Sequence, residues 1–401
     1  MTDVAGTRFA SALTLQADPG PVVAELSQQL ELQGWAGQAP PDLLVCFATH
    51  HHRRHWGAVN QQLHQLLRPR QQIGCLGQGV IGTDAAGRGQ EIEDDPAWSL
   101  WAAWSPSAEL EAAHLSLEQT PEGMAFTGFD RELPENSSLI LLADPFSFPA
   151  DVLLERWRED RPGTLVMGGM ASGGSAPGEN RLVLNDRTFD HGAIALAVSG
   201  PLNITPVVSQ GCRPIGDPMI VTRAERNVVL ELGGQPAVTQ LQRIFQSLPN
   251  HEKEMLQRGL HLGRVVSEYQ EQFEAGDFLI RNVFSLDGQR AALIVGDYFR
   301  PGQTVQFHLR DAGSAHRDLQ LLLEKARHQT PPPAAALLFT CNGRGTHLFG
   351  EPHHDVTVTQ RTLGPIPVAG FFAQGEIGPV SAENFLHGFT ASIALFSTHQ
   401  K

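Results

Sequence analysis

Apolar and polar positions along this chain repeat one theme: a short apolar run, a polar turn, a stretch at helical spacing and a second apolar run. The theme occurs three times. Its first copy reads Asp42-Leu-Leu-Val-Cys-Phe-Ala48, then residues 50–68, then Ile73. The second reads Leu139-Ile-Leu-Leu-Ala143, then 151–160, then Leu165-Val-Met167. The third reads Ala335-Ala-Leu-Leu-Phe339, then a weaker helical stretch at 355–361, then Pro367-Val-Ala369. Short apolar runs bounded by turns predict buried strands, and the spacing between them predicts a crossover helix. Each copy then enters a glycine-punctuated turn: Gly74-Cys-Leu-Gly-Gln-Gly79, Gly168-Gly-Met-Ala-Ser-Gly173 and Gly370-Phe-Phe-Ala-Gln-Gly375. Glycines so placed allow positive φ or close backbone approach. The pattern predicts an α/β fold of repeated β-α-β units forming mixed sheets with flanking helices. A later match, residues 190–198 with 386–395, extends the second and third copies through a further strand.

Other segments fill in the order. Residues 11–15 read as a strand and 21–32 as a helix, with Val22, Leu26 and Leu30 at helical spacing. Trp98, Trp101 and Trp104 read as sheet core. The breaker-dense stretch 211–218 is the best boundary. Beyond it, 219–222 and 227–232 predict a hairpin, and Pro236 opens a helix to 247. Asp287-Gly288 predicts a two-residue hairpin turn between 278–286 and 290–295, and 314–327 a helix. The resulting expectation is an extension at 1–39 and two modules, 40–215 and 216–401, packed as one body.

A length of 401 residues with 41% apolar and 18% charged residues describes a folded globular chain. The formal charge of −14 opposes nucleic acid and anionic membrane as partners. No apolar run is long enough for a membrane span, and the first residues lack the basic and apolar regions of a secretory leader. Cys46, Cys75, Cys212 and Cys341 are widely spaced, which predicts thiols outside any disulfide and a cytoplasmic location.

Candidate chemistry gathers in the third copy. The turn Thr340-Cys-Asn-Gly-Arg-Gly345 falls at the C-terminal end of a predicted strand, where α/β sheets bind ligands. Cys341 is nucleophilic, Asn342 hydrogen-bonds both ways and Arg344 can fork a carboxylate. Across from it, Gln374, Gly375 and Glu376 end the neighbouring strand, and His387 lies two strands on. A cationic fork and a carboxylate facing one pocket suit a zwitterion; the alternative is an Arg344–Glu376 ion pair. Four histidines at 50–55 put His51 and His55 at i, i+4 but specify no third ligand, so no metal is assigned. The loop 173–178 offers backbone N–H groups without the lysine of a phosphate-binding loop.

At these residues the chain resembles the FIST family, paired N- and C-terminal sensory modules of bacterial signalling proteins. The resemblance rests on Cys341-Asn-Gly-Arg-Gly345, Gly370-Phe-Phe-Ala-Gln-Gly-Glu-Ile-Gly-Pro379 and Phe385-Leu-His-Gly-Phe-Thr390, with 221–237 resembling the start of the C-terminal module. It implies a small-ligand sensor without catalytic activity, with amino acids as the ligand class and no cofactor. It also implies the alternative of haem-based nitric-oxide sensing; Cys341, read by itself, leaves a second alternative, an enzyme acting on a small substrate. No kinase, cyclase, methyl-accepting or F-box segment accompanies these motifs. Output is therefore expected to pass through a separate signalling protein.

Overall fold

The computed structural model describes residues 6–35, 39–121, 123–129, 137–270, 273 and 275–398. The chain forms two compact units. Unit 1 comprises Met1–Val208, Leu319–Pro379 and Glu383–Lys401; unit 2 comprises Ser209–Asp318 and Val380–Ala382. This spatial division differs from the division along the chain at 215/216, because unit 1 draws in both ends of the sequence.

Unit 1 contains three copies of one β-α-β repeat. Repeat 1 begins with β1 (Arg8–Thr14) and α1 (Pro19–Leu30). It continues through β2 (Leu43–Thr49), α2 (Trp56–Leu67), β3 (Gln71–Gly77), β4 (Val80–Thr83), β5 (Gly89–Ile92) and β6 (Trp98–Trp104). Repeat 2 has β7 (Glu109–Thr120), β8 (Gly123–Thr127), β9 (Ser138–Ala143), α3 (Ala150–Asp160) and β10 (Val166–Met170). It ends with β11 (Leu182–Leu184), β12 (Arg187–Phe189) and β13 (Ala193–Ser199). Repeat 3 begins with β14 (Leu202–Ser209) and is then interrupted by unit 2.

Unit 2 carries β15 (Cys212–Glu225), β16 (Val228–Leu232), β17 (Gln235–Pro236), α4 (Ala237–Ser247), α5 (Asn250–Arg258), β18 (Leu260–Val265), β19 (Phe278–Asp287), β20 (Ala292–Val295) and β21 (Thr304–Arg310). Its strand pairing closes on itself in the order β15-β21-β18-β19-β20-β16, because β15 also pairs with β16. Val305, Phe307, Leu309, Leu262 and Val295 fill its core, with Leu241 of α4 packed among them. The stretch expected as a breaker boundary lies inside β15. A register shift between Ile215 and Met219 absorbs Gly216, whose φ is 64°. The expected two-residue turn after Asp287 is a longer one, at 288–291. There the Asp287 carboxylate accepts from the N–H groups of Gln289 and Arg290.

The chain returns through α6 (Ala312–Arg327) and completes repeat 3 with β22 (Ala335–Cys341), α7 (Gly345–Phe349), α8 (His354–Leu363), β23 (Val368–Ala373), β24 (Glu376–Val380), β25 (Glu383–His387) and β26 (Ala391–Thr398). The three sheets of unit 1 run β1-β6-β2-β3-β11-β12, β25-β24-β10-β9-β13-β7-β8 and β14-β26-β22-β23-β4-β5. Each pairs the two parallel strands of one repeat and then accepts a hairpin from a different repeat. Repeat 1 donates β4–β5 to the third sheet, repeat 2 donates β11–β12 to the first, and repeat 3 donates β24–β25 to the second. The exchange is cyclic, so no repeat completes a sheet alone.

Strand alternation sorts the side chains into a shared core and three outer layers. Val45 and Phe47, Ile140 and Leu142, and Leu337, Phe339 and Phe371 meet in one central cluster with Trp101 and Phe396. Leu44, Cys46 and Ala48 face the other way onto α1 and α2. Leu139 and Leu141 do the same onto α3, and Ala336 and Leu338 onto α6 and α8.

The repeated glycines have one physical cause. A Cβ at Gly74, Gly168 or Gly370 would lie 2.0, 2.0 or 1.9 Å from the carbonyl oxygen of Cys46, Leu141 or Leu338 on the parallel partner strand. Only a residue without a side chain permits that approach. Beyond these glycines the strands cross between sheets, and backbone bonds lace the crossings together. Met170 N–H donates to Gly375 and Phe372 N–H to Gly79; Gln374 N–H donates to Met170 and Ser172 N–H to Leu76. At the matching place in repeat 1 the Ser172 hydroxyl stands in, accepting from Gln78 N–H at 2.8 Å and donating to the Phe372 carbonyl.

Replacing Ser172 with Ala leaves both backbone groups without that bridge. The expected cost is about 1–3 kcal/mol, seen as a lower urea midpoint at unchanged m value. An unchanged midpoint would show that the bridge carries no weight.

Candidate functional site

In repeat 3 the parallel strands β22 and β23 run in register, with Thr340 opposite Phe372 and Cys341 opposite Ala373. Their C-terminal ends therefore lie side by side, and Asn342 N–H donates to the Ala373 carbonyl at 2.9 Å. The Cys341 turn and the Gln374–Glu376 turn thus share one edge. The positions matching Cys341 in repeats 1 and 2 are Thr49 and Asp144, and in all three the strand-end N–H meets a carbonyl of the closing strand: Ala97, Gly192 or Thr390. The reciprocal N–H is satisfied in three different ways. Ala97 donates to Thr49 Oγ1, Gly192 to Ser147 Oγ (itself donating to Asp144 Oδ2), and Thr390 to Glu376 Oε2 at 3.0 Å. Only repeat 3 brings in a carboxylate from the crossing turn.

Around this edge is a buried charge cluster. Arg344 is fully buried, and its fork is turned onto Asp355 rather than toward Glu376: Nε to Oδ2 is 2.7 Å and Nη2 to Oδ1 is 2.9 Å. Nη1 reaches the Phe389 carbonyl at 3.5 Å. The expected roles for Arg344, fork for a ligand carboxylate or partner of Glu376, give way to this pair, because Asp355 lies at the start of α8 directly beneath it. His354 Nδ1 lies 2.9 Å from Asp355 Oδ1, and the His354 ring stacks on Phe349. Burial opposes the Asp355 charge, but Arg344 and His354 outweigh it and hold the carboxyl below its usual range. The Arg344 guanidinium is desolvated too, yet Asp355, with Cys341 and Glu376 nearby, raises its pKa.

The hairpin donated by repeat 1 brings two further acids. Glu91, 3% exposed, accepts from Val356 N–H in the first turn of α8 at 2.8 Å through Oε1. Its Oε2 is buried with no hydrogen-bond partner among the described residues. Desolvation first, then the nearby Asp355 and Glu93 charges, push the Glu91 carboxyl up to about 8. Glu93 accepts from the N–H and hydroxyl of Thr346, both at 2.9 Å, and so caps α7. Gly345, at φ 54°, is the residue that lets Glu93 come so close.

The remaining expected residues divide. Glu376 is fully buried and Gly375 buried, whereas Gln374 is exposed. Cys341 is 9% exposed, and its Sγ accepts from Gly343 N–H at 3.5 Å. Asn342 Oδ1 is buried without a hydrogen-bond partner among the described residues. His387 Nε2 donates to the Gly378 carbonyl at 2.9 Å, which ties the end of β25 to β24. Glu91, Glu93, His354 and Asp355 are not among the expected site residues. Glu91 and Glu93 sit in an acidic run whose partners lie more than 250 residues away.

Elsewhere, His50–His52 form a 3-10 turn and His55 stands at the N-cap position just before α2, so His51 and His55 do not share a helix face. Among the described residues no group of three or more His, Cys, Asp or Glu is arranged to hold a metal. In the loop 173–178, Gly173 N–H donates to Leu76 and Ser175 N–H to Glu179, which removes donors an anion would need. All four cysteines are buried thiols outside any disulfide. Among the described residues no helix is long and apolar enough to cross a membrane.

The FIST N domain matches residues 42–235 and the FIST C domain residues 237–379. An uncharacterized protein of Mycobacterium tuberculosis is 44% identical over 331 residues, covering 82% of this chain and 84% of its own length. An uncharacterized protein of Mycobacterium bovis is 40% identical over 362 residues, covering 90% and 92%.

Two outcomes are expected from the charge cluster. Replacing Arg344 with Met strands the Asp355 charge and should cost about 3–5 kcal/mol, read by denaturant unfolding. Glu91, with its folded-state pKa raised from 4.5 to about 8, favours the fold at low pH and loses that contribution as pH rises through this window. The unfolding free energy of Glu91→Gln relative to wild type should therefore grow from acid to pH 8. Parallel pH profiles for the two proteins would refute the assignment.

Proposed function

The chain belongs to the FIST family, and from that membership we propose that it is a sensory protein that binds a small ligand and catalyses no reaction itself. FIST domains are sensory, ligand-binding domains of signalling proteins. The ligand we infer is an amino acid or similar zwitterion, seated where the Cys341 and Gln374 turns meet. The observation that carries this reading is Glu376: a fully buried carboxylate at a strand-end edge, with one oxygen fixed by Thr390 N–H. In this reading Glu376 receives the ligand's ammonium as a charge-assisted hydrogen bond. Asn342 and Gln374 offer side-chain amides to its carboxylate, and Cys341 and Gly375 form the wall. Arg344 acts through Asp355 by fixing the edge, and His387 by fixing β24, the strand that opens with Glu376. Output passes to a separate signalling protein.

Two rival readings fit less well. A haem sensor needs a histidine nitrogen for the iron, and of the 17 histidines the one at this edge, His387, already donates its Nε2 hydrogen to the Gly378 carbonyl. An enzyme built on Cys341 needs a positioned base, and its Sγ is paired with the backbone N–H of Gly343.

A thermal-shift screen of amino acids, with haem included, tests the reading. A ligand at a hundred times its Kd adds about 2.7 kcal/mol to stability. Glu376→Gln should weaken the identified amino acid by roughly 30-fold to several thousandfold while the protein stays folded. Wild-type affinity in that variant, strong Soret absorbance of the purified protein, or selective rapid alkylation of Cys341 would each count against it.

A further inference from the structure

The buried cluster holds more acidic groups than basic ones. Asp355, Glu376 and Glu91 are 1%, 0% and 3% exposed, and Arg344 is the buried guanidinium set among them. Both fork nitrogens of Arg344 bind Asp355. Glu91 approaches that pair from the repeat 1 hairpin, anchored by Val356 N–H, with Oε2 buried and carrying no hydrogen bond among the described residues. Asn342 Oδ1, on the neighbouring turn, is a second buried acceptor of that kind. Asn342 Oδ1 can only accept, and Glu91 Oε2 becomes an acceptor once its carboxyl gives up its proton, so the site calls for N–H donors rather than for an anion.

We propose that Glu91 is a specificity-determining residue of this site and that the group selected is a small cationic amine, recognised without need of a carboxylate. The inference rests on the sensory reading above and gives the ligand's ammonium Glu91 as an acceptor in addition to Glu376. Glu91 faces Asp355, Glu93 and Arg344, and its own N–H donates to His353 Nδ1; His354 lies behind Asp355. Before binding, the Glu91 carboxyl holds a proton, which lowers the cost of burying it among other acids. Binding exchanges that proton for the ligand's ammonium: the O–H bond of Glu91 breaks, the proton leaves to solvent, and the carboxylate accepts an N–H of the amine. Affinity therefore rises with pH up to about 8.

The test uses the full chain with four probes: 1,4-diaminobutane, ethanolamine, alanine and N-acetylalanine. Calorimetry is run between pH 6 and 8 in two buffers of different ionisation heat. The expected result is that the two amines and alanine bind and N-acetylalanine does not. About one proton should be released per amine at pH 7, and amine affinity should fall roughly tenfold from pH 7 to 6. In Glu91→Gln both the proton release and the pH slope should vanish; if that variant does not fold, the wild-type slope and proton count decide alone. Binding of N-acetylalanine but not of the amines, or amine binding with a flat pH profile, overturns this inference and leaves the sensory reading standing. Binding of none of the four overturns the amine inference, and silence in the wider amino-acid screen as well removes the sensory reading.

Discussion

The close approach of two backbones, made three times, is the constraint on which unit 1 depends. At Gly74, Gly168 and Gly370 the partner strand's carbonyl oxygen occupies the space that any Cβ would need. Packing of this kind fixes the second parallel strand of each repeat against the first and sets the place from which the chain crosses to another sheet. At Gly168 the constraint is doubled, because its φ of 146° is also strained for any other residue. A single methyl group at any of the three would force apart a ladder that the central aromatic cluster packs against on its inner face.

On this common backbone the repeats have diverged in chemistry. The same closing-strand N–H is served by a threonine in repeat 1, a serine backed by Asp144 in repeat 2 and Glu376 in repeat 3. The first two arrangements satisfy a donor with a local oxygen. The third takes its oxygen from a carboxyl group on the crossing strand, and the Arg344–Asp355 ion pair is buried beside it. Burying an ion pair is no efficient route to stability, since desolvation offsets much of the attraction. The fully buried ion pair lies in repeat 3, at a strand-end edge.

The three repeats are legible in the sequence because the requirement for glycine is absolute where backbones touch, and the strands because buried runs stay apolar. Arg344 stands out in its turn, but its partner does not: Asp355 belongs to a helix whose pattern is weak. The later match of residues 190–198 with 386–395 aligns Gly192 with Gly388, whereas the ladders place Gly192 level with Thr390, since Ala193 opposes Ala143 and Ala391 opposes Thr340. Identical letters two residues out of register mislead the eye. The cyclic exchange of hairpins leaves no trace at all, because pairing between remote strands imposes no period on either one. Glu91 is hidden for the same reason.

That exchange bears on how the protein is made. Thr83, at the end of β4, bonds to Val368, 285 residues later. At a synthesis rate of about 5–20 residues per second, the hairpin waits roughly 15–60 s for its partner strand. During that interval the third sheet does not exist, and Ile81, fully buried in the finished protein, lacks the Ala336, Leu338 and Phe372 neighbours that repeat 3 brings. The nascent chain therefore spends most of its synthesis as an open intermediate with a bare strand edge. Such an edge is what holdase chaperones cover and what aggregation exploits.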